Sequence, residues 1–122
     1  MGKILLSINP EHVKNILTRK KQYEFRKIRC KKDIDKIVIY ATAPISKIVG
    51  EVDVIDIVED YPEKVWEITE CLSGITKDFF EQYYKNSDKA VDYKLGDVTK
   101  YKQPKYLKDF GINFAPQSFI YL

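Results

Sequence analysis

The 122-residue chain predicts an α+β fold, a small mixed β-barrel of short curled strands flanked by about three helices. Three observations predict it. Segments of period two alternate with segments of period 3.6 in the order β-α-β-β-β-α-α-β-β. Two strand segments lose their alternation for one residue and then recover it, at 54–55 and at Gly96, as a bulged and curling strand does. The composition is 44% hydrophobic, 13% aromatic and 32% charged, which is that of a globular chain with a core. At this length about two-thirds of the unfolded surface is hidden on folding, so no metal or disulfide staple is required. No linker, repeat or low-complexity tract interrupts residues 1–122, which are expected to form one domain.

The elements follow in order. Residues 3–8 (KILLSI) read as a short buried strand running into a helix. Asn9 is its N-cap, Pro10 takes the first helical position, and Glu11 lies beside the positive end of the dipole. Val13, Ile16 and Leu17 make the apolar stripe. In residues 22–28 Tyr23 and Phe25 alternate with Glu24 and Arg26, so a strand shows aromatics on one face and charges on the other. Residues 29–35 are a charged loop, 36–42 a strand ended by Ala43-Pro44, and 48–58 the longest strand, slipping phase between Val54 and Ile55. Pro62 opens a second helix with Val65, Ile68, Thr69 and Leu72 on its inner face. Gly74 breaks it, and Thr76 caps a third, whose wide aromatic face carries Phe79, Phe80, Tyr83 and Tyr84. Residues 91–101 form a strand with a slip at Gly96, 104–110 a helical turn closed by Gly111, and 118–122 a last strand.

Several function classes are excluded or disfavoured. Five scattered glycines rule out the clustered glycines of the Walker and dinucleotide loops. No apolar run approaches the roughly 18 residues that span a bilayer, and the start lacks a basic region followed by a long apolar one. Cys30, Cys71 and His12 have no paired spacing, so neither a zinc site nor a disulfide framework is expected. The expectation is a cytoplasmic protein without metal, cofactor or membrane anchor; protein partners are left open.

The net charge of +3 is strongly segregated. Residues 1–36 hold eleven Lys/Arg against four Asp/Glu, and 14–32 alone hold nine against Glu24. Between 51 and 81 ten acids face only Lys64 and Lys77. A dipolar molecule with a basic face suits a polyanion. The bland alternative is lysines that merely solvate a helix and a loop.

The most informative segment is Lys21-x-x-Glu24-x-Arg26, which crosses the helix-to-strand turn. Glu24 and Arg26 share a strand face, and Lys21 stands at its mouth. An acid between two cations stays ionised and orients both, a triad able to grip a phosphate, hydrogen-bond a base edge or activate a water. A surface ion-pair network is the competing reading.

This motif resembles the signature of the ASCH domain family, and the likeness extends along the chain. LLSINPE at 5–11, IYATAP at 39–44, IVGE at 48–51 and PQSFIYL at 116–122 are similar to family segments in the same order. The resemblance implies the PUA-like barrel superfamily, a fold mostly associated with RNA binding. The chain departs from the family twice. Arg19 stands where glycine is usual before the motif lysine, and Gln22 replaces a common threonine. Some small family members resemble an amidohydrolase acting on acetylated cytidine through a lysine and a threonine; the lysine matches Lys21, but Glu24 stands at the threonine's place. Other members are associated with cutting single-stranded RNA.

Two functions follow as expectations. In one, a cleft built on Lys21, Glu24 and Arg26 binds a nucleotide of single-stranded RNA or a modified base, with phosphates on the basic surface. Tyr40, Thr42 and Tyr93 would line the cleft and stack on bases, unless they simply fill a small barrel. The resemblance adds Ser46 and Lys47 at the barrel rim, and Gln117 and Ser118 from the last strand. In the other, Lys21 is a catalytic base or nucleophile, Glu24 orients it and Arg26 stabilises an oxyanion. A protein-docking role for the acidic 51–81 surface is a third reading. His12 reads as an ordinary helix residue, Cys30 as an exposed loop thiol, Cys71 as a helix residue and Trp66 as packing.

Overall fold

The computed structural model describes residues 2–122. Six strands and three α-helices occupy the predicted places. The strands are β1 (Lys3–Ile8), β2 (Tyr23–Arg26), β3 (Lys36–Ala41), β4 (Lys47–Asp60), β5 (Ala90–Lys105) and β6 (Phe119–Tyr121), and the helices are α1 (Pro10–Leu17), α2 (Pro62–Thr69) and α3 (Lys77–Tyr83). They form one curled sheet in the order β2-β5-β4-β3-β1-β6, in which only β1 and β3 run parallel. The result is an open half-barrel of the α+β class.

The predicted phase slip is real. Register between β4 and β5 shifts at Ile48/Gly50, Val52/Val54 and Val54/Asp56, and these irregularities let 14- and 16-residue strands curl. Inside the curl Ile4, Leu6, Ile8, Ile37, Ile39, Val52, Val91 and Tyr93 form the main core, closed by Val13 and Ile16 of α1. Each such side chain contributes roughly 1.5–3 kcal/mol when fully buried. Asn9 caps α1 as expected, its side chain accepting from the Glu11 N–H at 3.0 Å, and Thr76 caps α3 by accepting from the Phe79 N–H at 3.1 Å.

The outer faces carry two smaller cores. Tyr23 and Phe25 of β2 pack with Val65, Phe80 and Tyr84 under α2 and α3. Leu5, Val38, Tyr40 and Ile48 pack with Ile112 under the C-terminal segment.

Three expectations change. The inner face of α2 is Val65 and Thr69, whereas Ile68 and Leu72 are 51% and 44% exposed. The helix ends at Thr69 and a 3₁₀ turn (Glu70–Leu72) follows, so Leu72 leaves the predicted stripe. The helical turn expected over 104–110 shrinks to Leu107–Phe110, because β5 continues to Lys105. Cys30, expected as an exposed loop thiol, is 3% exposed: its N–H donates to the Tyr93 hydroxyl at 3.3 Å, which folds the loop back onto the core. Cys71 lies exposed in the 3₁₀ turn.

Candidate functional site

A cleft of about 320 Å³ opens where edge strand β2 curls round to face the end of β1. Its polar wall includes Lys21, Glu24, Arg26, His12 and a second carboxylate, Glu11, and its apolar wall includes Phe25, Ile75, Phe79 and Tyr83. The strand period puts Glu24 and Arg26 on the same face of β2, and the two side chains meet there. Arg26 Nε donates to Glu24 Oε2 at 3.0 Å, and Nη2 lies 2.9 Å from the same oxygen as an ion pair, so neither contact uses Oε1. Nη2 also donates to the Ser7 carbonyl at 2.8 Å. The Tyr84 hydroxyl holds β2 from the other side, donating to the Arg26 carbonyl at 2.8 Å.

Lys21 is 3% exposed. The turn after α2 builds its socket: Nζ donates to the Ser73 carbonyl at 3.1 Å and sits 4.7 Å from the centroid of the Phe25 ring. Gly74 has φ +71°, and a Cβ there would stand 2.4 Å from Lys21 Cβ, so only glycine lets this turn lie against the lysine. Burial lowers the Lys21 pKa from its usual value; the Glu24 carboxylate opposes that shift and the Arg26 guanidinium adds to it.

Arg19 shows how the chain tolerates its departure from the family pattern. It adopts the left-handed conformation itself, with φ 67°, and its guanidinium donates to the Gly96 carbonyl. The turn geometry that glycine favours is kept at a conformational cost of roughly 1–2 kcal/mol.

His12 belongs to this site, which the sequence reading missed. From the first turn of α1 it reaches the cleft, 5.3 Å from the Phe79 ring in an edge-on contact, with Nδ1 buried and without a protein partner. Burial lowers its pKa below 6.5, Lys21 and Arg26 lower it further, and Glu24 and Glu11 oppose them. The available signal was its place in the first turn of the helix that follows β1.

The other candidates fall elsewhere. Tyr93 is 1% exposed inside the main core with its hydroxyl on Cys30, and Tyr40 is buried in the core under the C-terminal segment, so neither ring lines the cleft. Phe79 and Tyr83 of α3 supply the aromatic surface instead. Thr42, Ser46 and Lys47 stand at the sheet rim beyond β3, with the Thr42 N–H donating to the Ile8 carbonyl at 3.0 Å. Ser118 borders the site through its carbonyl, which accepts from the Ser7 N–H at 2.9 Å, and Gln117 is exposed beside it. Among the described residues no group of three His, Cys, Asp or Glu side chains could hold a metal ion, and no helix is long and apolar enough to cross a membrane.

Comparison with known proteins places this geometry. A family described as "Domain of unknown function (DUF365)" matches residues 4–115. The chain is 30% identical over 121 residues to the ATP synthase subunit alpha of Ureaplasma parvum serovar 3, and 27% identical over 120 residues to that organism's large ribosomal subunit protein uL22. Each alignment covers 98% of this chain, which spans only 15% and 39% of those two proteins. It is 28% identical over 115 residues to an ASCH domain-containing ribonuclease of Zymomonas mobilis, covering 92% of this chain and 78% of that protein. The crystal structure of ASCH from Zymomonas mobilis superimposes with a TM-score of 0.90 at 27% identity, over 98% of this chain and 87% of that one.

Proposed function

Because the chain belongs to the DUF365 family and has the ASCH fold, we propose that its cleft binds one nucleotide of single-stranded RNA. The observation that carries this reading is the pairing of walls. A fixed Arg26–Glu24 pair, a buried Lys21 and a neutral-favoured His12 face Phe79 and Tyr83 across about 320 Å³, room for one base and its phosphate. Arg26 has donors in a planar fork to spare for a phosphate, and in this reading Glu24 Oε1, which takes no bond from Arg26, accepts a base N–H. The aromatic wall offers stacking worth roughly 1–3 kcal/mol per base. The name of the Zymomonas relative, an ASCH domain-containing ribonuclease, adds support from outside the geometry.

Titration with nucleoside monophosphates and a short single-stranded RNA tests the reading. Saturable binding that weakens in Arg26→Lys is expected, and no retention of either ligand at low salt would end it.

A hydrolytic second reading rests on the lowered Lys21 pKa, which brings a buried amine nearer the range of a base. Incubation with single-stranded RNA and with acetylated cytidine separates the two. Product formation lost in Lys21→Met favours catalysis, and unchanged substrates leave binding alone.

A further inference from the structure

The C-terminal third holds seven lysines against four aspartates over residues 82–122, and with Lys47 it carries a second basic surface. The registers Ser7↔Tyr40, Tyr40↔Ile48 and Ile48↔Lys105 set four residues in one row across β1, β3, β4 and β5. The row starts at the residue whose carbonyl holds Arg26 and ends three strand spacings away, about 14 Å. Lys105 and the surface therefore share a rim with the cleft.

The chemistry at that end is ammonium groups over rings. Lys105 Nζ lies 5.0 Å from the Tyr101 centroid and 5.9 Å from that of Phe110. Lys47 and Lys108 each bring Nζ to 5.5 Å from the centroid of Tyr106, a residue 49% exposed. Among the described residues the ion pairs within 4.0 Å belong to Arg26 and Lys36, so Lys47, Lys105 and Lys108 carry unneutralised charge. A groove of about 410 Å³ beside it is lined by Lys14, Lys100 and Pro104 and by Tyr101, the ring under Lys105. Free cations around the exposed ring of Tyr106, with the partly buried Tyr101 and Phe110 rings behind Lys105, match the alternating phosphates and bases of a single strand.

We infer that Lys47, Lys105 and Lys108, with Tyr106, form a second contact surface for single-stranded RNA, carrying the nucleotides that flank the one in the cleft. This rests on the cleft reading proposed above and adds the path of the strand.

The test compares nucleoside monophosphates, a dodecamer single-stranded RNA and anionic phospholipid vesicles on the wild type, Lys105→Glu/Lys108→Glu, Tyr106→Ala and Arg26→Lys. The substituted lysines are exposed, and melting curves check that each variant is folded. The double variant is expected to keep monophosphate binding, to lose roughly tenfold or more in dodecamer affinity, and to lower the salt slope by about 1.4 for two phosphate contacts. Tyr106→Ala should weaken dodecamer binding with its slope unchanged. Unaltered dodecamer affinity and slope in the double variant, with monophosphate binding intact, would overturn the second surface and leave the cleft standing. Dodecamer binding that needs the lysines while monophosphates fail to bind and Arg26→Lys has no effect would support the surface and sink the cleft. Lysine-dependent vesicle binding without RNA binding would overturn the inference in favour of a lipid surface.

Discussion

The guanidinium of Arg26 bridges strands that the sheet order keeps apart: it donates to Glu24 on its own strand β2 and, at 2.8 Å, to the carbonyl of Ser7 on β1. Strand β2 is one edge of the sheet and β1 lies next to the other, so this contact spans the open side of the half-barrel. The residue that faces the cleft is also the one that fixes its width.

Arg26→Lys is therefore expected to act in two ways. A single ammonium cannot replace both bonds, so the fold should lose about 1.5–3 kcal/mol, the range of a charge-assisted hydrogen bond. Nucleotide affinity should fall by roughly tenfold as the planar fork is lost. Lys32→Ala is the control: Lys32 lies exposed over the Tyr121 ring at 4.7 Å, and its loss should change little beyond salt dependence. Thermal melts and a binding titration on both variants measure this. Equal losses from the two would show that the motif is ordinary surface charge.

Gly74 and Gly111 separate conformational cost from close approach. Both have positive φ, +71° and +73°, but a Cβ at Gly74 meets Lys21 whereas one at Gly111 meets nothing within 4 Å. Gly111→Ala should cost only about 1 kcal/mol for the left-handed backbone. Gly74→Ala should cost at least ~1 kcal/mol more and should also weaken nucleotide binding, because Lys21 must move. Denaturant unfolding and the same titration check both. Similar stabilities with binding intact would remove Gly74 as a positioning residue.

Asp92 is 1% exposed, and neither of its carboxylate oxygens has a protein hydrogen-bond partner. Burial raises its pKa to about 6, the Asp56 carboxylate adds to the rise, and Lys94 opposes it. The folded state thus holds the proton when the unfolded chain has released it. Its contribution is most favourable below about pH 4 and is lost as pH rises from about 4 to about 6. A rise of about two pH units corresponds to at most ~3 kcal/mol. Asp92→Asn should accordingly stabilise the protein at pH 7 by about 1–3 kcal/mol and flatten that window. Chemical unfolding across pH 4–8 tests it, and an unchanged slope would count against a proton held at Asp92.

His12 sets a second pH dependence. Its pKa lies below 6.5, so the imidazole is neutral at pH 7 in the free protein. A phosphate in the cleft favours the imidazolium, so monophosphate affinity should rise as pH falls from 7 towards 5. His12→Ala should flatten that rise. A binding series over this range decides it; a rise that survives the substitution assigns the proton elsewhere.

The local features were legible in the sequence because local physics makes them. The Asn9 and Thr76 caps, the alternation of β2 and the phase slip in β4 each depend on residues a few positions apart. So does the meeting of Glu24 with Arg26, two residues along one strand face. What lies across the cleft depends on strand order and on the curl that bulges accumulate, and neither leaves a local pattern. Tyr93 and Tyr40 alternate as cleft residues would, yet the curl puts one inside the main core and the other under the C-terminal segment. His12, Phe79 and the Ser73–Gly74 turn reach Lys21 from three separate stretches of chain, and Lys105 joins Ser7 across four strands. The sequence by itself determined the elements, the face of β2, the stripe of α1 and the charged motif, since these follow from periods of two and 3.6 and from capping. Only the tertiary structure decided which of those faces meet, because pairing and burial are set by contacts between segments far apart along the chain.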